Sequence, residues 1–122
     1  MDLVRSLLLE LEARVDPADV SVPELEGRSD QEVAYHLGLM KQAGLIYALG
    51  SAGEDAYGTR WLPQSLTWEG HEFLDAARED ERWQAAKRIA KENGGALTFE
   101  AIKTALSEMT KRALLFAISA SG

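Results

Sequence analysis

The strongest constraint in the chain is a helix with both ends written in its residues and strand formers directly behind it. Ser29-Asp30-Gln31-Glu32 is a capping box, in which the Ser oxygen and the Glu carboxylate satisfy backbone N–H groups left open at a helix start. Val33, Leu37 and Met40 recur at helical spacing and mark the buried stripe. Gly44 supplies the left-handed position that ends the helix after about Ala43. "LIYAL" then reads as a short strand, "GSAGEDAYGT" as a hairpin loop, and "RWLPQSL" as the returning strand. Pro63 lacks an N–H for a ladder and points to an edge or a bulge.

Helices flank this unit. Leu3, Val4, Leu7, Leu8 and Leu11 predict a first helix from about Asp2 to Arg14. "VDPADVSVPELEGRSD" breaks it, with a short strand expected at Val20–Val22 and one turn at Pro23–Glu26. Behind the hairpin, Thr67 is expected to cap a helix beginning at Trp68. Its apolar stripe changes side across "REDER", so a kink or restart is expected near Asp80. Thr98 starts the last helix, with Leu97 and Ile102 as a hydrophobic staple. There Phe99, Ile102, Leu106, Met109, Ala113 and Phe116 form one seam, expected to pack against Trp83, Ala86 and Ala90.

The order is helix, connector, helix, strand, loop, strand, helix, helix. It predicts an α+β chain and resembles a winged helix, a helix-turn-helix variant with a hairpin after the second helix. "VAYHLGLMKQAGLI" is similar to the recognition helix and first wing strand of bacterial winged-helix regulators, with Val33, His36, Leu37, Met40, Gly44, Leu45 and Ile46 matching. "LTWEGHEFL" resembles their link from second wing strand to next helix. In that link Thr67 caps, Glu69 suits the positive helix end, Gly70 permits close packing and Trp68 is expected as a buried anchor. "DLVRSLLLELE", "EVAYHLGLMKQAGLI", "LTWEGHEFLDAARED" and "GGALTFEAIK" occur in the same order in a bacterial and phage family of domains of unknown function, family 2513, which the chain resembles over nearly its whole length. The resemblance implies a winged-helix-like core over residues 1–66 and a helical extension over 67–122, packed on it as one compact domain. It implies no activity, and its occurrence in phages hints at mobile elements. One departure stands out: only "SVPELEGR" is available where winged-helix regulators place a full helix before the recognition helix.

Charge and composition limit the chemistry. The 122 residues carry a formal net charge of −7 and include no Cys. Thiolate metal sites and disulfides are therefore excluded. No long apolar run suggests a membrane segment, and the opening residues do not read as a signal peptide, so a cytoplasmic protein is expected. His71 and Asp75 could share a helix face, but Glu72 points about 100° away and no H-E-x-x-H pattern is present. No nucleophile elbow or phosphate loop occurs. The expectation is a non-enzymatic protein without metal or cofactor.

Two partner classes stay open. For double-stranded DNA, the outward face of the second helix offers Gln31, Tyr35, Leu39 and Gln42, with Arg28, Lys41 and Arg60 as backbone contacts. This reading makes the chain a transcriptional regulator. Against it, residues 1–65 hold 5 basic and 11 acidic side chains, and the wing tip carries Glu54 and Asp55. The alternative is a protein–protein interaction module that uses the apolar Tyr35 and Leu39. The terminal helices also offer a homodimer surface.

Overall fold

The computed structural model describes residues 1–52, 59–94 and 97–121. Side chains at 51, 52, 59, 60, 94, 120 and 121 fall outside that description. The wing tip with Glu54 and Asp55, and Gly95 of "NGG", lie outside the described residues too. The elements in chain order are α1 (Asp2–Glu12), α2 (Asp30–Gln42), β1 (Ile46–Ala52), β2 (Thr59–Leu66), α3 (Trp68–Ala77), α4 (Asp80–Gly94) and α5 (Phe99–Ser121). The fold class is α+β, and the order helix, helix, hairpin, helix is winged-helix-like. The chain divides into two compact units: Asp2–Leu74, and Asp75–Gly122 with Met1.

In the first unit α1 packs against α2 and β2, and α2 packs against both strands. The expected stripes are the buried ones: Leu3, Val4, Leu7, Leu8 and Leu11 on α1, and Val33, Leu37 and Met40 on α2. Each fully buried Leu stabilises the fold by ~2 kcal/mol. Ser29 Oγ accepts from the Glu32 N–H at 3.1 Å, the first half of the capping box. At the far end Gly44 takes φ +76°. The Gly44 N–H donates to the Lys41 carbonyl (3.0 Å) and the Leu45 N–H to the Met40 carbonyl (2.9 Å). This double closure is a Schellman motif, and it aims Leu45 and Ile46 directly into β1.

β1 and β2 pair antiparallel, and the register shifts between Ile46 and Ala48. Pro63 sits opposite Ala48 at that irregularity, where its missing N–H disrupts the ladder least. Both strands are longer than expected, because residues read as loop continue the ladder to Ala52 and Thr59.

The connector differs from expectation. It has no strand at Val20–Val22 among the described residues. The Arg14 guanidinium instead donates to the carbonyls of Asp19 (2.9 Å) and Ser21, and toward that of Pro63 (3.4 Å). Those carbonyls are engaged by a side chain and so do not build a ladder. The turn falls at Leu25–Arg28, closed by the Arg28 N–H to the Leu25 carbonyl (3.1 Å), with Gly27 at φ +77°. No helix lies between α1 and α2 among the described residues.

Thr67 closes the hairpin onto α2. Its backbone N–H donates to the Leu45 carbonyl (3.0 Å), its hydroxyl donates to the Gly44 carbonyl, and its Oγ1 accepts from the Gly70 N–H at 3.0 Å. A Cβ at residue 70 would run into the Leu45 carbonyl oxygen, so Gly70 is what allows α3 this close. Trp68 overturns its expected role: it is 75% exposed. Gly70, Phe73, Leu74 and Ala77 make the buried stripe of α3. Trp68 lies two residues before Gly70, about 200° around the helix. It therefore faces solvent, where its Nε1–H donates to Glu72 Oε1 one turn later (2.9 Å).

In the second unit the expected restart is present: α3 ends at Ala77 and α4 begins at Asp80. Trp83, Ala86 and Ala90 are buried on α4, as are Ile102, Ala105 and Leu106 on α5, and the two helices pack together. Thr98 Oγ1 caps α5 by accepting from the Ala101 N–H (3.2 Å). Arg82, in the first turn of α4, reaches the Leu106 carbonyl (3.3 Å) and Thr110 Oγ1. The start of α4 is thus level with Thr110, while α5 continues about three more turns, ~16 Å at 1.5 Å per residue. Along that stretch the seam is not buried: every side chain from 111 to 119 is exposed.

Candidate functional site

The exposed side of α2 is shaped by Gly38, in the middle of the helix. A Cβ there would lie 2.6 Å from Trp61 Nε1, so the missing side chain lets the β2 indole lie against the helix. The indole forms one wall of a groove of about 410 Å³, lined by Gln31, Ala34, Tyr35, Gly38, Leu39, Gln42 and Trp61. The four residues expected on the outward face, Gln31, Tyr35, Leu39 and Gln42, therefore line one groove. Tyr35 is 66% exposed and Leu39 40%. Trp61 is the member that sequence reasoning missed. Gly38 was its signal, since a glycine inside an otherwise regular helix usually marks a close approach.

Two cations near the groove, Lys41 and Arg28, are engaged. Lys41 Nζ lies 4.5 Å from the centroid of the Trp61 ring, a cation–π contact that holds the ammonium over the indole. Arg28 Nη1 lies 2.8 Å from Glu32 Oε2. The hydrogen bond from Arg28 is the main cause that holds the Glu32 carboxyl below its usual range; partial burial opposes it, and the Ser29 N–H adds to it. That last bond is the second half of the capping box. The Arg60 side chain lies outside the described residues. His36 Nδ1 is 2.8 Å from the Glu32 carbonyl. A carbonyl only accepts, so this nitrogen carries a proton and donates. The His36 ring meets Tyr35 edge-on, with centroids 5.7 Å apart.

The acid–base residues of "LTWEGHEFLD" disperse. His71 Nδ1 is 4.0 Å from Glu12 Oε2 on α1. Asp75 takes Arg78 at 2.9 Å, and Glu72 takes Trp68. Among the described residues no group of three or more His, Asp or Glu is placed to hold a metal ion. Among them, too, no helix is long and apolar enough to cross a membrane.

The profile of the family described as Hypothetical protein (DUF2513) matches residues 1–96, which include the groove and every element up to α4. The chain belongs to this family. The chain is also similar to an uncharacterized protein of Haemophilus influenzae (strain ATCC 51907 / DSM 11121 / KW20 / Rd). It is 34% identical over 113 residues, covering 88% of this chain and 94% of that protein. No solved structure matches the chain with significance. The DUF2513 match spans α2 and β2, the elements that line the groove.

Proposed function

We propose that the chain is a non-enzymatic, cytoplasmic protein-interaction module whose binding face is the groove of α2. The observation that carries this reading is the joining of Tyr35, Leu39 and Trp61 into one open, largely apolar groove with glutamine amides at its rim. Such a surface gains by burying apolar side chains of a partner, while Gln31 and Gln42 supply orienting hydrogen bonds. Aromatic residues in a pocket are the usual anchors of protein interfaces.

A DNA-associated regulator is the second reading, favoured by the winged-helix-like order and by two glutamines on the exposed face of the second helix. The electrostatics weigh against it. DNA affinity comes chiefly from neutralised phosphates. Here Arg28 is compensated by Glu32 and Lys41 sits on Trp61.

Affinity purification of the full chain from its native host, run beside Tyr35→Ala and Leu39→Ala, tests the proposal. The expected result is a protein retained by the wild type and lost from both variants. A low-salt mobility shift with host DNA serves as the counter-test. Strongly salt-dependent DNA binding that Tyr35→Ala leaves intact would overturn the protein reading.

A further inference from the structure

We infer that the α2 groove selects a partner segment that carries a carboxylate, from Asp or Glu, one or two residues from the apolar side chain it seats. The inference rests on the reading of the groove as a protein-binding face and names the chemistry of its partner.

The groove supplies the apolar half of that chemistry. None of its lining side chains is charged, and Tyr35, Leu39 and Trp61 give an anchor its contacts. The charge stands at the margin. Lys41 follows Gly38 by three residues, on the side of α2 where the indole lies. Trp61 is therefore held twice, by its ring edge at Gly38 and by the ammonium 4.5 Å from its centroid. A lysine fixed in this way costs a partner less ordering than a free one.

The ammonium keeps its charge available. Among the described residues no carboxylate pairs with Lys41. The indole takes one side of a group that has three N–H donors, which leaves donors for an acceptor. The carboxylates of α2, Asp30 and Glu32, lie in its first turn, roughly 14 Å or more along the axis from Lys41. Glu32 is also tied to Arg28. A segment arriving at the Lys41 end thus meets a cation and no anion of the helix. One fixed cation suits one carboxylate, whereas a phosphate backbone calls for several. Neighbouring and next-but-one residues of an extended segment are ~3.4 and ~7 Å apart. That spacing spans the 4.5 Å from the ring to the ammonium.

Panning a random peptide library on the immobilised full chain, with Tyr35→Ala as the counter-selection, tests this. Peptides held by the wild type and lost on Tyr35→Ala are expected to set Asp or Glu within two residues of an aromatic or aliphatic side chain. In fluorescence anisotropy, Lys41→Gln is expected to weaken such a peptide about 5-fold. Lys41→Arg is expected to restore most of the affinity, and added salt to shrink the difference. The same peptide with its carboxylate changed to an amide is expected to bind the wild type and Lys41→Gln alike. Two results would overturn the carboxylate preference while leaving the groove a protein-binding face. One is Tyr35-dependent peptides with no acidic bias, and the other is equal weakening of acid and amide peptides by Lys41→Gln. A library that yields no Tyr35-dependent peptide would overturn the groove reading and this inference with it.

Discussion

The junction at Leu66–Leu74 and the end of α5 at 111–119 dispose of bulky residues in opposite ways to what their composition suggests. At the junction the small residues Thr67 and Gly70 are buried in direct contact with the end of α2, while Trp68 stands in solvent. At the end of α5 Leu114, Leu115 and Phe116 are all exposed. Apolar character sets the gain available from burial, but a neighbouring element must be present to collect it. At the junction α2 and β1 lie close and admit only a glycine. Past Thr110, α4 has ended.

Substitutions at four positions put numbers on that contrast. Trp83→Ala should be the most damaging, about 4 kcal/mol by denaturant unfolding, because this tryptophan is only 1% exposed and its removal leaves a cavity. A loss under ~1 kcal/mol would show that the second unit repacks freely. Gly70→Ala should cost about 3 kcal/mol even though alanine favours a helix, since its Cβ meets backbone rather than a movable side chain. Equal or higher stability would mean that α3 can move off Leu45. Thr67→Ala should cost about 1.5 kcal/mol through the lost cap and the lost bond to Gly44. Thr67→Ser, which keeps the hydroxyl, should recover most of it. Trp68→Ala should change stability by less than ~0.5 kcal/mol. A loss above ~2 kcal/mol would restore Trp68 as an anchor.

Acid titration adds a smaller effect. The lowered pKa of Glu32 means that its contribution is fully present above the ordinary carboxylate range and is lost as the pH falls through its folded value. A Glu32→Gln chain should therefore lose less stability than the wild type on acidification, as read from melting temperatures across that range.

Features carried by neighbouring residues are legible in the sequence. The capping box, the Gly44 terminator and the Thr67 cap each act across fewer than about six residues, so the residues themselves state the geometry. The restart near Asp80 is legible for the same reason, because a stripe that changes side cannot stay on one straight helix. Periodicity alone places the candidate-site residues of α2 on one face, and Gln31, Tyr35, Leu39 and Gln42 do share a groove. The wall opposite them has no such local signature. Trp61 reaches Gly38 across 23 residues of chain, through a hairpin whose register is shifted by a bulge. Trp68 misleads because its size suggests burial, although the angles of Gly70, Phe73 and Leu74 define an inward side of α3 that excludes it.

The sequence by itself determined where α2 begins and ends, where α3 and α5 begin, which stripes α1 and α2 turn inward, and that a hairpin follows α2. Those outcomes depend on backbone groups and side chains a turn or two apart. The tertiary structure alone decided the strandless connector gathered by Arg14, the indole laid on Gly38, and the point at which the α5 seam loses its cover. Each of these depends on which distant element arrives and how far it extends, a matter of packing geometry that no local pattern encodes.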